Sequence, residues 1–294
     1  MPATIIDGAA IAATIKDEVR RDAALLKERH DVTPGLAFLL VGDNPASRSY
    51  VRSKGKACEY VGFHSHTVER PADCSEADVL DQIDAWNTDP DIHGILVQLP
   101  LPDHIDENKV INAISPRKDV DGFHPISVGR LVIGQETFRP CTPAGIQELL
   151  LRSGIDPSGK HVVVVGRSNI VGKPIANILL QKAPGANAIV TIAHTAAADL
   201  ASLTRQADIL IAAIGRPRAI TADMVKQGAV VIDVGINQVP DASTEKGYRL
   251  VGDVDFDAVK EKASAITPVP RGVGPMTIAM LMQNTLQAAQ RTVR

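Results

Sequence analysis

Short apolar runs, mostly β-branched, alternate along this chain with longer stretches in which apolar residues recur every three or four positions. That alternation predicts strands separated by amphipathic helices, the pattern of an α/β fold built on parallel sheets. Strands are expected at 35–42 ("GLAFLLVG"), 64–70, 93–100, 161–167, 188–194, 208–215 and 229–235. Most are apolar on both faces, as strands covered by helices on each side must be. A turn-rich segment with "QLPLPDHIDENK", "KDVDGFHP" and "RPCTPAG" separates the third strand from the fourth, and a helix follows over about 143–153. This seam predicts two α/β domains: residues 1–140 completed by a C-terminal helix at 275–294, and residues 141–274. Pro275 falls in the first turn of that last helix, where a missing N–H costs nothing.

The segment 47–63, "SRSYVRSKGKACEYVGF", reads as a helix with two stripes, because residues four apart share a face. Arg48, Arg52 and Lys56 form one stripe. Tyr50, Lys54 and Cys58 form the other, so Lys54 leaves the solvated cations and sits beside an aromatic ring. A basic surface helix with a half-buried tyrosine fits the same spacing.

Composition narrows the classes. With 45% hydrophobic and 22% charged residues the chain is an ordinary globular protein, and its net charge of -3 argues against nucleic acid as the partner. Its three cysteines are widely spaced and lack a metal-ligand pattern, which points to free thiols in a reducing cytosol. Neither a signal peptide nor a run of about 18 apolar residues is found, so a cytoplasmic, membrane-free protein is expected. No metal site is expected either: His64, His66 and the other histidines have no ligand partners at suitable spacing.

In "VVVVGRSNIVGKP" a strand runs into Gly166, Ser168 and Gly172 and then a helix. A Rossmann-like dinucleotide site needs such a tight glycine turn aimed by a helix N-terminus at a pyrophosphate. The spacing departs from G-x-G-x-x-G, and a ligand-free glycine turn remains open. The next strand ends in "AHTAA", not in an acid that would repel a 2′-phosphate, and Arg167 follows the first glycine. Those features favour NADP over NAD. The later strands end in "AAIGRP" and "DVGIN", placing Gly215 and Gly235 where a nicotinamide could lie.

Gln98 ends the apolar strand "GILVQ". At the carboxyl end of a parallel strand its amide can orient an amine or a carbonyl; it can also simply cap the following loop. Asp121 in "KDVDGFHP" could accept from an amino-heterocycle, or only form the turn before Gly122.

Taken together, "VGDNPASRSYVRSKGKAC", "GILVQLPLP", "KDVDGFHP", "CTPAG", "VVGRSNIVGKP", "DVGIN", "GDVDF" and "GVGPMT" resemble, in order and over nearly the whole chain, the bifunctional methylenetetrahydrofolate dehydrogenase/cyclohydrolase family. The resemblance implies a folate-binding catalytic domain and an NADP-binding domain with the active-site cleft between them. It implies an enzyme of one-carbon metabolism, supplying purine biosynthesis, that oxidises 5,10-methylenetetrahydrofolate and hydrolyses the product to 10-formyltetrahydrofolate. Lys54 would then be the main catalytic group, with its pKa lowered by neighbouring cations and partial burial, and Gln98 would bond to its amine. Tyr50 would stack on the aminobenzoate ring, Asp121 would pair with the pterin, and Pro270 and Gly274 would line the substrate site. The cofactor would rest on Gly166, Arg167, Ser168, Gly172, His194, Thr195, Gly215 and Ile236. A homodimer is also implied. Two departures stand out: Arg271 replaces a common glycine in "PVPRGVGPMT", and "AHT" replaces "CHS". If position 271 requires φ > 0, the arginine is strained there. Three rival readings are a monofunctional member, a small hydroxy- or amino-acid dehydrogenase using Arg48 or Arg52, and a non-catalytic nucleotide-binding homologue.

Overall fold

The structure is a computed structural model describing residues 2–244 and 247–293. Met1 and Arg294, the outer limits of the expected first domain, lie outside the described residues. The first elements are β1 (Thr4–Ile5), α1 (Gly8–His30), β2 (Gly35–Val41), α2 (Pro45–Val61), β3 (His64–Arg70), α3 (Glu76–Thr88) and β4 (Gly94–Val97). Then come α4 (Glu107–Ala113), α5 (Pro125–Val132), α6 (Cys141–Arg152), β5 (His161–Val165), α7 (Gly172–Leu179), β6 (Ile189–Ala193) and α8 (Leu200–Thr204). The chain continues through β7 (Ile209–Ala212), β8 (Val230–Asp233), β9 (Asn237–Pro240), β10 (Tyr248–Val251), α9 (Phe256–Val259), β11 (Ala265–Ile266) and α10 (Val273–Gln290). All seven expected strands are present; β3 keeps its expected bounds and the other six are shorter than expected.

The chain divides into two compact units. Among the described residues one comprises 13–141 and 278–293, the other 2–12 with 142–277. Residues 2–12, expected in the first unit, thus belong to the second. The reason is a long-range pairing: β1 lies parallel to β11, Thr4 opposite Ala265.

In the first unit three parallel strands stand in the order β3-β2-β4. Every residue of β2 is buried, and its Leu39 joins Ile83, Trp86 and Ile95 in one hydrophobic cluster. Burying each such side chain stabilises the fold by about 1.5–3 kcal/mol. β3, "HSHTVER", is mostly exposed and polar, which suits an edge strand that must not recruit another chain. Helix α2 starts where the Asn44 side chain accepts the N–H groups of Ala46 and Ser47. It stops at Gly62, whose φ of 79° is left-handed. Within this unit Asn284 of α10 donates to the carbonyls of Val120 (2.8 Å) and Arg139 (3.0 Å). From Ile278 onward the last helix belongs to the first unit.

The second unit carries a six-stranded, wholly parallel sheet in the order β1-β11-β8-β7-β5-β6. From β5 the chain adds β6 on one side and then returns to add β7 on the other. Doubly wound sheets bind ligands beyond the strand ends at such a reversal. A polar hairpin of β9 and β10 is attached to the unit; its sequence carries no buried-strand signal.

Cys58, Cys74 and Cys141 are all buried and free. Burial pushes the Cys58 thiol up to about 12 and raises Cys74 and Cys141 as well. Among the described residues no helix is long and apolar enough to cross a membrane.

Candidate active site

Helix α2 sorts its residues as the spacing predicts. Arg48, Arg52 and Lys56 are exposed, Arg48 pairing with Glu69 at 3.3 Å. Cys58 is buried, Lys54 is half-buried, and Tyr50 remains 48% exposed one turn before Lys54. The exposed ring is open to stacking.

Lys54 Nζ donates to Gln98 Oε1 at 3.0 Å, and Gln98 Nε2 donates to the Leu99 carbonyl at 2.7 Å. The second bond fixes the amide so that only its oxygen can meet the lysine. The Asp121 carboxyl is close enough for its charge to act on Lys54, and Cys141 lies against Asp121 and 3.4 Å from the Val120 carbonyl. Burial lowers the Lys54 pKa below its ordinary value. The neighbouring cations expected to help do not: the charges acting on Lys54 are those of Asp121 and Cys141, and both oppose the shift. Burial also raises Asp121, with Lys54 pulling the other way.

The turn-forming acid of "KDVDG" is Asp119, not Asp121. Asp119 accepts from the N–H groups of Phe123 (3.1 Å) and His124 (2.9 Å) and from Ser127 Oγ (2.7 Å). Gly122, at φ 74°, is needed because a Cβ would come within 2.7 Å of Pro140 N. With Asp119 tying the turn, Asp121 is free to face Lys54. No sequence signal distinguishes the two acids.

In the second unit the glycine turn after β5 is tightly built. A Cβ on Gly166 would run into the Ala213 carbonyl, and one on Gly172 would run into the Gly166 carbonyl. Ser168 Oγ accepts the N–H groups of Val171 (3.1 Å) and Gly172 (3.3 Å) at the start of α7. The close backbone approach at this glycine turn is the feature a dinucleotide pyrophosphate needs. Arg167 and Thr195 are exposed, and the Gly166 N–H donates to the Ala193 carbonyl at 2.8 Å, which brings His194 alongside. Gly215, at φ 74°, follows β7. Ile236 and Gly274 are neighbours: a Cβ on Gly274 would lie 3.5 Å from Ile236 Cδ1. Pro270 is exposed in the loop before α10.

Arg271 does occupy a glycine-type position, at φ 83°. Its Nη2 reaches Asp7 Oδ2 at 2.9 Å, the same carboxylate that accepts the N–H groups of Ala9 and Ala10 in α1. Among the described residues no group of three or more His, Cys, Asp or Glu side chains is placed to hold a metal ion.

Known proteins resemble this chain over its whole length. The "bifunctional protein FolD" of Syntrophus aciditrophicus is 61% identical over 290 residues, covering 99% of this chain and 98% of the relative. Its namesake in Dehalococcoides mccartyi is 60% identical over 292 residues, covering 99% and 98%. The crystal structure of the bifunctional methylenetetrahydrofolate dehydrogenase/cyclohydrolase FolD from Campylobacter jejuni superposes with a TM-score of 0.93 at 48% identity, covering 99% of both chains. The Trypanosoma brucei N5,N10-methylenetetrahydrofolate dehydrogenase-cyclohydrolase, complexed with NADP cofactor and inhibitor, gives 0.94 at 41% identity, covering 100% of this chain and 99% of that one. Residues 6–121 match the family model of the tetrahydrofolate dehydrogenase/cyclohydrolase catalytic domain, and residues 140–293 match that of its NAD(P)-binding domain. The chain belongs to the tetrahydrofolate dehydrogenase/cyclohydrolase family.

Proposed function

We propose that this chain is a bifunctional enzyme that uses NADP to oxidise 5,10-methylenetetrahydrofolate to the 5,10-methenyl cation and then hydrolyses that cation to 10-formyltetrahydrofolate. The observation that carries the reading is the Lys54–Gln98 hydrogen bond beside Asp121 on one unit, in a chain about 60% identical to bifunctional relatives.

For the first reaction a bound NADP would supply the acceptor for the hydride of the methylene carbon. The chain's own task is orientation. Tyr50 offers its exposed ring to the aminobenzoate, and Asp121 offers its carboxyl to the amino edge of the pterin. Pro270 and Gly274 border the substrate. In the second unit Gly166, Ser168 and Gly172 would hold the pyrophosphate, Arg167 with His194 and Thr195 would receive the 2′-phosphate, and Gly215 and Ile236 would border the nicotinamide. With no acid after β6 to repel that phosphate, NADP is preferred over NAD.

In the second reaction water adds to the cationic amidine carbon. Lys54, whose pKa burial lowers, takes the proton the water loses; a fully solvated lysine would hold its own proton more tightly. Gln98 Oε1 aims the amine. The carbon–N5 bond then breaks as N5 takes back the proton held by Lys54 and the adduct hydroxyl gives its own proton to water, leaving the formyl group on N10 with one proton released overall. The same reading takes the working form as a cytoplasmic homodimer.

The test follows both products at once. Purified protein is mixed with 5,10-methylenetetrahydrofolate and NADP or NAD, and reduced cofactor and methenyl-to-formyl conversion are recorded together. Reduction with NADP and loss of the methenyl species support both activities. Reduction without hydrolysis leaves a monofunctional dehydrogenase, and no reduction with either nucleotide removes the enzyme.

A further inference from the structure

In the second unit the carboxylate of Asp253, fully buried between β10 and α9, gathers four donors. It accepts the backbone N–H groups of Ile214 (2.6 Å), Gly215 (2.8 Å) and Arg216 (3.0 Å), and Asn237 Nδ2 at 2.9 Å. Three successive N–H groups turned to one point form a concavity of the kind that takes an anion. Here the anion is the chain's own side chain. Asp233, at the end of β8, steadies it: the Asp233 carboxylate accepts from the N–H groups of Asp253 (2.9 Å), Val254 (3.0 Å) and Gly235 (3.0 Å), while its own N–H donates to Thr267 Oγ1 at 2.7 Å. Two glycines make the room. A Cβ on Gly235 would strike the Asp253 carboxylate, and one on Gly252 would strike that of Asp233.

The loop so held follows β7, next to β5 in the sheet, on the side where the chain reverses its winding. A trans peptide sets its carbonyl opposite its N–H. With their N–H partners bound to Asp253, the carbonyls of Ala213, Ile214 and Gly215 therefore turn away from it. The Ala213 carbonyl faces Gly166, which ties this loop to the glycine turn itself.

We infer that Asp253 is a positioning residue for the dinucleotide: by drawing in the N–H groups of residues 214–216 it leaves the Ile214 and Gly215 carbonyls as acceptors for an amide or hydroxyl donor of the bound cofactor, and closes this loop to phosphate. The inference rests on the NADP reading above and names a residue that reading does not use. Asp253 touches no reacting atom; it acts through the loop.

The test compares wild type with Asp253→Asn, which sets an amide NH₂ against N–H groups that need an acceptor. NADP affinity is measured by calorimetry, the KM for NADP in methylenetetrahydrofolate oxidation, and hydrolysis of methenyltetrahydrofolate without nucleotide in the same preparations. The expected result is an NADP Kd and KM raised about tenfold or more, with hydrolysis within about twofold of wild type. An unchanged NADP affinity overturns the inference. So does a parallel loss of binding and hydrolysis, which is what general damage to the fold would give. If Asp253→Asn does not fold, Asn237→Ala decides: it removes one donor from the same carboxylate and should raise the NADP Kd about threefold with hydrolysis unchanged, and no change in affinity overturns the inference. A wild-type protein that binds NADP but oxidises nothing would remove the proposed function and still leave the Asp253 comparison readable.

Discussion

Gln98 turns its carbonyl oxygen, and not its amide nitrogen, toward the Lys54 amine 3.0 Å away. The Leu99 carbonyl holds the other end of the amide. A carboxylate at this position would do the opposite of what hydrolysis needs, because a negative charge beside the lysine favours its protonated form. Gln98→Glu should therefore move the alkaline-going rise of hydrolysis up by about one pH unit or more. At neutral pH the rate should fall about tenfold. Stopped-flow loss of the methenyl absorbance across pH 6–10 reads both changes.

Asp121 gives the complementary test. Burial sets the Lys54 pKa below 10.5, and the Asp121 charge resists that shift. Asp121→Asn removes the resistance, so the rise in hydrolysis should move to lower pH while the maximal rate drops through weaker substrate binding. A rise that moved up would show that the two groups do not act on each other as described.

Lys54→Met keeps the length of the side chain and removes its proton chemistry. Hydrolysis should fall by about 100-fold or more, while NADP binding, measured by calorimetry, stays at the wild-type value. Wild-type hydrolysis in this variant would take the lysine out of the mechanism.

Asp119 links the site to stability. Burial raises it from 3.8 to about 6, so the folded state holds the proton more tightly than the unfolded chain. Its protonation stabilises fully below pH about 3.8, and that contribution is lost as pH rises through about 6. Asp119→Asn, which cannot titrate, should flatten the stability profile between pH 4 and 6. It should also cost about 1–3 kcal/mol, because its NH₂ faces a donor among Phe123, His124 and Ser127. Urea denaturation at several pH values measures slope and offset together.

Much of this was legible along the chain, and for definable reasons. Strands such as 35–41 announce themselves because both faces are buried. Gln98 is visible as the polar end of an apolar strand, and Lys54 as the cation on the wrong stripe of α2. Other features depend on distant partners. β1 and β11 have two residues each and gain meaning only by pairing across the length of the chain. Asp119 and Asp121 are the same residue type two positions apart, and only the folded turn assigns them different tasks. Arg271 was visible as a departure, yet its partner Asp7 lies 264 positions away.

That arginine separates two effects. Arg271→Ala removes the exposed ion pair to Asp7 and keeps the left-handed backbone; Arg271→Gly removes both the pair and the strain. The pair contributes little, since exposed ion pairs are worth about 0–1 kcal/mol. The glycine variant should thus be more stable than the alanine variant by about 1 kcal/mol, read from paired urea titrations. Equal stabilities would mean that the loop relaxes around the alanine.

The three cysteines have a practical consequence. All are buried, and burial disfavours the thiolate of each. Only the thiolate alkylates at an appreciable rate. In the folded protein a single cysteine introduced on an exposed face, for example at Ile133, would be the one fast-reacting handle, and a fluorophore or spin label could be attached there without first removing any native residue.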